Sequence, residues 1–157
     1  MKRKIISLPY GTGEILIQFP EKGSPIDVFY PPQISALPLS ANDVYQILAK
    51  ENVKIQSDRS IAIAINDKTR PVRYDILLLP LLTYLQEKNI PKEKITLYIS
   101  TGTHRPLSEK EYAEFLPPSV IENYKIICHN CDDANSLIYL GKTKIGTPVF
   151  INKNFYF

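Results

Sequence analysis

Residues 61–71 read IAIAINDKTRP, an apolar run that turns abruptly polar and closes on a proline. Ile61–Ile65 is apolar at every position, which is typical of a strand covered on both faces in a parallel sheet. A second segment, 94–106, repeats the pattern as KITLYISTGTHRP. The leucine-rich stretch between them, about 74–88, predicts a helix in which Pro80 is tolerable only near the first turns. Strand, helix and strand in this order predict a parallel βαβ unit.

The flanking sequence extends this unit into an α/β fold. The predicted elements are a hairpin with strands around Lys4–Leu8 and Ile15–Phe19, a proline-rich connection over Val28–Pro38, a helix capped by Ser40 and running to about Lys50, a helix over Ser108–Phe115 with a capping box, a third strand over Tyr124–Cys128, and short strands at Leu137–Leu140 and Pro148–Asn152. We therefore expect a Rossmann-like, mostly parallel sheet with flanking helices, preceded by an N-terminal β-hairpin. We expect it to form a single domain over residues 1–157.

The composition excludes several classes of protein. A chain of 157 residues with 44% hydrophobic and 22% charged residues can fold without disulfides, and its 13 prolines disfavour an all-helical bundle. The net charge of +3 is mixed along the chain, so a nucleic-acid partner is not expected. No apolar run approaches the roughly 18–20 residues of a membrane span. Two cysteines and no recognisable signal peptide predict a cytoplasmic location without membrane association.

The two polar segments after the strands predict a binding site. Arg70 and Arg105 lie 35 positions apart, and both precede a proline that can open a helix. Loops after parallel strands meet at the carboxyl edge of the sheet, where an arginine and helix N-termini can bind an anion. His104 can exchange a proton near neutral pH, and Asp67 could orient a ribose hydroxyl or hold Arg70.

A plainer interpretation makes the same residues structural. Thr69 and Thr103 would then be caps, and both arginines would be solvated surface charges. The Cys128-His-Asn-Cys131 motif has the spacing of a redox pair or half a metal site, but no second motif completes four ligands. We interpret its cysteines as structural thiols at a strand end.

In its motifs, the sequence resembles the amino-terminal domain of the lactate racemase family that uses a nickel-pincer nucleotide. The resemblance rests on motifs in the family's order along nearly the whole chain: Leu8-Pro-Tyr-Gly11, Asp67-Lys-Thr-Arg-Pro71, Thr101-Gly-Thr-His-Arg-Pro106, Asp132-Asp133, and Leu140-Gly141 through Ile151-Asn-Lys153. It implies an isomerase, a racemase or epimerase of small 2-hydroxy acids that removes and returns a hydride.

Each matching residue takes an expected role from this resemblance. Asp67, Lys68, Thr69 and Arg70 match the stretch that binds the cofactor, a pyridinium bisthiocarboxylate mononucleotide carrying nickel. Arg70 also matches a residue near the substrate carboxylate. His104 matches one of two histidines that take and return the hydroxyl proton.

The resemblance also sets a limit on this chain. In the family, the segment after the Ile-Asn-Lys match supplies the second catalytic histidine, the lysine linked to the cofactor and a histidine ligand of nickel. We therefore expect a domain truncated near 153–157 that has no metal ligands, does not retain the cofactor and is inactive alone. Its partner would be the missing carboxy-terminal domain or a second copy. The alternative is a stand-alone module that binds a nucleotide or an anion without catalysis.

Overall fold

The structure is a computed structural model that describes residues 3–20, 27, 29, 32, 37–51, 55–56 and 59–156. It separates into two compact units, residues 1–37 and residues 38–157. The single domain expected over 1–157 stays a prediction. The connection predicted over Val28–Pro38 lies almost entirely outside the described residues.

The predicted N-terminal hairpin is confirmed in the first unit. Strand β1 (Arg3–Tyr10) pairs antiparallel with β2 (Gly13–Pro20) from Arg3 opposite Pro20 to Tyr10 opposite Gly13. The hydroxyl of Ser7 donates a hydrogen bond of 2.6 Å to Glu14 across the pair. The turn therefore lies where the glycines at positions 11 and 13 predict it.

The second unit begins with helix α1 (Ala41–Glu51), whose start is capped as the sequence predicts. The Ser40 hydroxyl accepts a hydrogen bond of 3.2 Å from the Asp43 backbone N–H, and the Asp43 carboxylate accepts from the Ser40 backbone N–H at 2.8 Å. The Tyr45 hydroxyl donates to Glu87 in the next helix. Helix α1 thus packs against α2 (Tyr74–Glu87).

A three-stranded parallel sheet forms the centre of the second unit and confirms the predicted α/β class. Its strands, in spatial order, are β3 (Ile61–Asn66), β4 (Ile95–Ser100) and β5 (Lys125–Cys128). Helix α2 connects β3 to β4. Two short helices, α3 (Glu109–Tyr112) and α4 (Pro118–Asn123), connect β4 to β5. The sequence predicts that the first of these helices continues to Phe115, and it does not predict α4.

One face of the sheet carries the hydrophobic core. Its central strand is fully covered there, since Ile95, Leu97 and Ile99 are 0% exposed. The buried residues that pack with them come from β3, from the three connecting helices and from the turns that follow α2 and α3: Ile65, Tyr74, Leu78, Leu82, Leu85, Ile90, Tyr112, Leu116 and Val120. This layer fixes the ends of the strands, and therefore the loops that leave them.

The opposite face of the sheet is only partly covered, so the prediction that Ile61–Ile65 is buried on both faces is wrong. Ala62 and Ala64 are exposed, whereas the isoleucines beside them point into the core layer. Alanine is apolar but small, so it occurs on covered and on exposed faces. A continuous apolar run therefore does not distinguish a strand buried on both faces from a strand buried on one. On the central strand, the Tyr98 ring is covered by Phe155, with ring centroids 5.2 Å apart.

Helix α2 occupies the range that the sequence predicts and contains a proline beyond its first turn. Arg73 caps it, because its carbonyl accepts from the backbone N–H groups of Ile76 and Leu77. Pro80 is therefore the seventh helical residue, and it is buried. None of the helices in the described ranges is both long and apolar enough to cross a membrane.

The last part of the chain forms a second hairpin. Strand β6 (Leu137–Lys142) pairs antiparallel with β7 (Pro148–Asn152), with a register shift between Tyr139 and Gly141. A single helical turn, α5 (Lys153–Tyr156), follows. Its Asn154 carbonyl accepts a hydrogen bond of 2.5 Å from the Tyr98 hydroxyl, which fastens this turn to the open face of the sheet.

Candidate functional site

Two loops leave the carboxyl edge of the sheet side by side. The parallel register pairs Asn66, the last residue of β3, with Ser100, the last residue of β4. The first loop runs over residues 67–73 and the second over residues 101–108. Because their strands end at the same level, the loops begin as neighbours although they are far apart in sequence.

Asp67 and His104 join the two loops directly. Nδ1 of His104 lies 2.6 Å from Oδ2 of Asp67. The Asp67 side chain is 5% exposed and the His104 side chain 56% exposed. The carboxylate is therefore anchored inside the protein, while the imidazole extends from it toward solvent.

The other carboxylate oxygen of Asp67 is held within its own loop. Oδ1 accepts hydrogen bonds from the Thr69 hydroxyl at 2.5 Å and from the Thr69 backbone N–H at 3.1 Å. The hydrogen bonds from His104 and Thr69 lower the pKa of Asp67 below its usual range, so it is ionised at neutral pH. Because ionised Asp67 can only accept a hydrogen bond, the Nδ1–H group of His104 donates to it. In the neutral ring this leaves the lone pair on Nε2.

The second loop is anchored to the neighbouring strand β5. The buried Thr101 hydroxyl donates a hydrogen bond of 2.8 Å to the His129 carbonyl, and the Leu107 backbone N–H donates to Sγ of Cys128 at 3.2 Å. Gly102 has a φ of +62°, a left-handed conformation that glycine adopts without strain. These contacts hold both ends of the segment that carries His104.

The two arginines of the predicted anion site differ in what they contact. Arg105 is paired with Glu111, through Nη2 to Oε1 at 2.6 Å and Nη1 to Oε2 at 3.0 Å. Arg70 is exposed, and its guanidinium has no hydrogen-bond or ion-pair partner within the described ranges. Of the two, only Arg70 presents a free cation to an incoming anion.

Lys68 is also engaged by carboxylates. Its Nζ lies 2.8 Å from Oε1 of Glu111 and 3.0 Å from Oε2 of Glu114. Both carboxylates raise the pKa of Lys68, so the side chain is a firmly charged ammonium. An anionic ligand at Lys68 would have to compete with two carboxylates for it.

Two features of the predicted site differ in the structure. Asp67 does not contact the Arg70 side chain within the described residues, and only its backbone carbonyl accepts from the Arg70 N–H, at 3.2 Å. The prolines do not open helices, because α2 starts at Tyr74 and α3 at Glu109. Two residues therefore separate each Arg-Pro pair from the first residue of the next helix, so neither proline belongs to the first helical turn.

The cysteine motif lies beside the site without forming a metal centre. Cys128 packs against the hydrophobic core, and burial raises the pKa of its thiol. Cys128 and Cys131 are both free cysteines. In the part of the chain that the structure describes, no group of three or more His, Cys, Asp or Glu side chains is placed to hold a metal ion.

A cavity of about 290 Å³ opens on the less covered face of the sheet. Gly102 and His129 border it at the carboxyl edge, and Tyr98 and Phe155 line its apolar part. None of the predicted site residues lines this cavity, so it adjoins the second loop without being part of the contact between Asp67 and His104.

Sequence reasoning missed the carboxylates that organise the loops. In the sequence, Glu111 is the last residue of the capping box Ser108-Glu-Lys-Glu111 that begins the predicted helix, and no motif marks Glu114. The available signal was the concentration of four basic and four acidic residues within 66–71 and 101–114. Such a balance indicates ion pairing, but it does not tell which partners meet.

The fold and the site define a Rossmann-like α/β domain in which two polar loops meet at the carboxyl edge of a parallel sheet. Residues 10–156 match the family described as the lactate racemase N-terminal domain. The chain belongs to this family. The resemblance seen in its motifs is thereby confirmed.

Two lactate racemases are similar to parts of the chain in sequence. That of Lactiplantibacillus plantarum is 30% identical over 94 residues, which are 60% of this chain and 22% of that protein. That of Thermoanaerobacterium thermosaccharolyticum is 28% identical over 98 residues, 62% of this chain and 23% of that protein. The matched region thus spans less than a quarter of either relative.

Two solved structures share the fold. The lactate racemase apoprotein from Thermoanaerobacterium thermosaccharolyticum superposes with a TM-score of 0.64 at 22% identity, covering 96% of this chain and 36% of that chain. A protein from Thermotoga maritima gives a TM-score of 0.60 at 16% identity, covering 78% and 32%. At these identities the similarity supports the fold alone.

Proposed function

We propose that this domain supplies one side of a racemase site for a small 2-hydroxy acid such as lactate, with His104 as the acid/base for the substrate hydroxyl. The observation that carries the proposal is the contact between His104 and Asp67. A buried carboxylate on Nδ1 orients the ring and leaves Nε2 as a base that can take a hydroxyl proton and return it.

Arg70 is the proposed partner of the substrate carboxylate. It is the exposed cation of the two loops that is not engaged by any carboxylate within the described ranges, since Lys68 and Arg105 pair with glutamates and Arg73 pairs with Asp75. A guanidinium binds a carboxylate through two parallel hydrogen bonds, which fixes the orientation of the acid as well as its position. The same group can bind a phosphate.

The segment Asp67-Lys68-Thr69-Arg70 is the proposed contact for the nickel-pincer nucleotide. The free guanidinium of Arg70 can bind an anionic nucleotide directly. Lys68 could bind the nucleotide only by giving up its ion pairs with Glu111 and Glu114. The described residues do not fit the nickel ion, because no cluster of three donors is present among them. When bound, such a cofactor would supply the hydride acceptor, since the α C–H of a hydroxy acid is too weakly acidic for a lone histidine.

The whole reaction needs more than these residues. Racemisation requires an acid/base for each approach of the substrate, and the family resemblance assigns the second one to a segment beyond this match. We therefore propose that the domain works with a carboxy-terminal domain or a second copy, in the cytoplasm, and that this chain alone is inactive. Turnover of lactate by this chain with added cofactor would contradict this part of the proposal.

Ligand binding by the chain itself tests the assignment of the loops. Lactate and inorganic phosphate would each be titrated into ¹⁵N-labelled protein and followed by NMR. We expect lactate to shift the resonances of Arg70 and His104, and Arg70→Ala to weaken binding about tenfold or more, as for the loss of a charge-assisted hydrogen bond. Arg73→Ala is the matched control, because Arg73 is paired with Asp75 on helix α2.

The same titration distinguishes the alternative function. Binding of phosphate without any response to lactate would favour an anion- or nucleotide-binding module over a hydroxy-acid site. Equal affinity in the Arg70→Ala and Arg73→Ala variants would rule out Arg70 as the anion partner.

A further inference from the structure

Glu111 lies outside both loops and contacts both of them. It belongs to helix α3, and its side chain is 15% exposed. Its carboxylate accepts from Lys68 of the first loop at 2.8 Å and from Arg105 of the second loop at 2.6 and 3.0 Å. It therefore bridges two segments that are otherwise separate in sequence.

The two residues that Glu111 holds are the immediate neighbours of Asp67 and His104, which we call the site pair. Lys68 follows Asp67 in the chain, and Arg105 follows His104. Within the described part of the chain, two sets of polar contacts connect the loops beyond the ends of the strands. One is the contact between Asp67 and His104, and the other is the bridge in which Glu111 holds both Lys68 and Arg105. The bridge lies one residue away from the contact on both sides.

We propose that Glu111 is a positioning residue, which holds the two loops in the register that brings His104 onto Asp67. Its role in catalysis rests on the proposed function, because it acts through His104 and touches no substrate. The coupling between the bridge and the site pair does not rest on that function, and it can be measured without any ligand.

Capping of helix α3 does not account for this arrangement. The cap uses the Ser108 backbone N–H, which donates to Oε2 of Glu111 at 2.9 Å. A glutamine could keep that hydrogen bond through its amide oxygen. It could not hold two cations, so Glu111→Gln separates the cap from the bridge.

The experiment measures the pKa of Asp67 in the full chain by carboxyl ¹³C NMR titration, with Glu111→Gln compared against Glu109→Gln. Glu109 lies on the same helix, loses the same charge and has no ion-pair partner within the described residues. In Glu111→Gln we expect the pKa of Asp67 to rise toward the ~3.9 of an unperturbed aspartate, because the hydrogen bond from His104 is weakened. In Glu109→Gln it should keep its wild-type value.

The direction in which the pKa of Asp67 changes distinguishes a weakened hydrogen bond from His104 from the mere loss of a nearby charge. Loss of a nearby negative charge by itself would lower the pKa of Asp67, so a rise reports a loosened contact with His104. Of the other titratable groups whose charge interacts with Asp67, Tyr74 and Cys128 have raised pKa values and stay neutral over an acidic titration. They do not interfere with the measurement.

A second variant covers the case in which Glu111→Gln does not fold. Arg105→Lys keeps the charge and the cap but removes the bidentate contact, and it should also raise the pKa of Asp67. If the folded variants leave this pKa unchanged or lower it, Glu111 is a cap and the proposal is overturned. Failure of lactate to bind the wild-type chain would overturn the proposed function and leave this result standing.

Discussion

Nδ1 of His104 lies 2.6 Å from Oδ2 of Asp67, although the two residues are 37 positions apart and belong to different loops. The parallel register of β3 and β4 brings the loops together, and Thr69 immobilises the carboxylate from its other side. A buried acceptor thus meets an exposed ring. This is how a carboxylate selects one tautomer of a histidine and leaves the other nitrogen available.

The pairing of Asp67 predicts a specific loss of stability in acid. Hydrogen bonds from His104 and Thr69 lower the pKa of Asp67 in the folded state, whereas an unfolded aspartate titrates near ~3.9. Its contribution to the free energy of unfolding is therefore complete above about pH 4 and is lost as the pH falls through the folded pKa. Asp67→Asn should be less stable than wild type at neutral pH by about 1–3 kcal/mol, with a smaller difference in acid.

Urea unfolding followed by circular dichroism between pH 2 and 7 checks this expectation. Asp75→Asn is the control, because Asp75 forms an exposed ion pair with Arg73 that solvent screens. Curves for wild type and Asp67→Asn that stay parallel over the whole range would contradict the assigned role of the pair.

The central strand should dominate the stability of the second unit. Leu97 is fully buried in β4, so Leu97→Ala removes apolar contacts and leaves a cavity, at a cost of about 2–5 kcal/mol. Leu77→Ala on α2 is the matched control, because Leu77 is 47% exposed. Its effect should stay within about 1 kcal/mol. Urea midpoints of the two variants measure the difference, and similar midpoints would argue against the described core.

Tyr98 should hold the last helical turn through its hydroxyl. Tyr98→Phe keeps the ring contact with Phe155 but removes the hydrogen bond to the Asn154 carbonyl. We expect faster amide exchange in α5 and a loss of stability of about 0.5–1.5 kcal/mol. The control is Tyr139→Phe, because Tyr139 is exposed and its described contact is with the ring of Phe150. Unchanged exchange rates in α5 would show that the hydroxyl does not fasten it.

Much of the fold could be predicted because it depends on local pattern. The hairpin turn, the cap at Ser40 and the apolar strands are each encoded within a few consecutive residues. The proximity of the Asp67 and His104 loops also followed, since parallel strands bring their carboxyl ends together. The predicted burial of Ile61–Ile65 on both faces was wrong, because an alanine is equally apolar on a covered face and on an exposed one.

The pairing of charges could not be predicted from the same patterns. Arg70 and Arg105 occupy similar positions in two similar motifs, and the sequence gives them equal status as anion ligands. The difference arises because the short helix after the second loop places Glu111 within reach of Arg105, six residues before it in the chain. Such a contact depends on how a loop folds back, which neither periodicity nor motif spacing determines.

The ion pairs formed by Glu111 and Glu114 also affect the long-range electrostatic potential of the site. Residues 66–71 and 101–114 carry four basic and four acidic side chains, so their charges balance when His104 is neutral. Such a surface generates little long-range potential, and association with a small anion should not be accelerated by electrostatic steering. Encounter rates should therefore vary little with ionic strength, and selection among anions would occur only on contact with the guanidinium of Arg70.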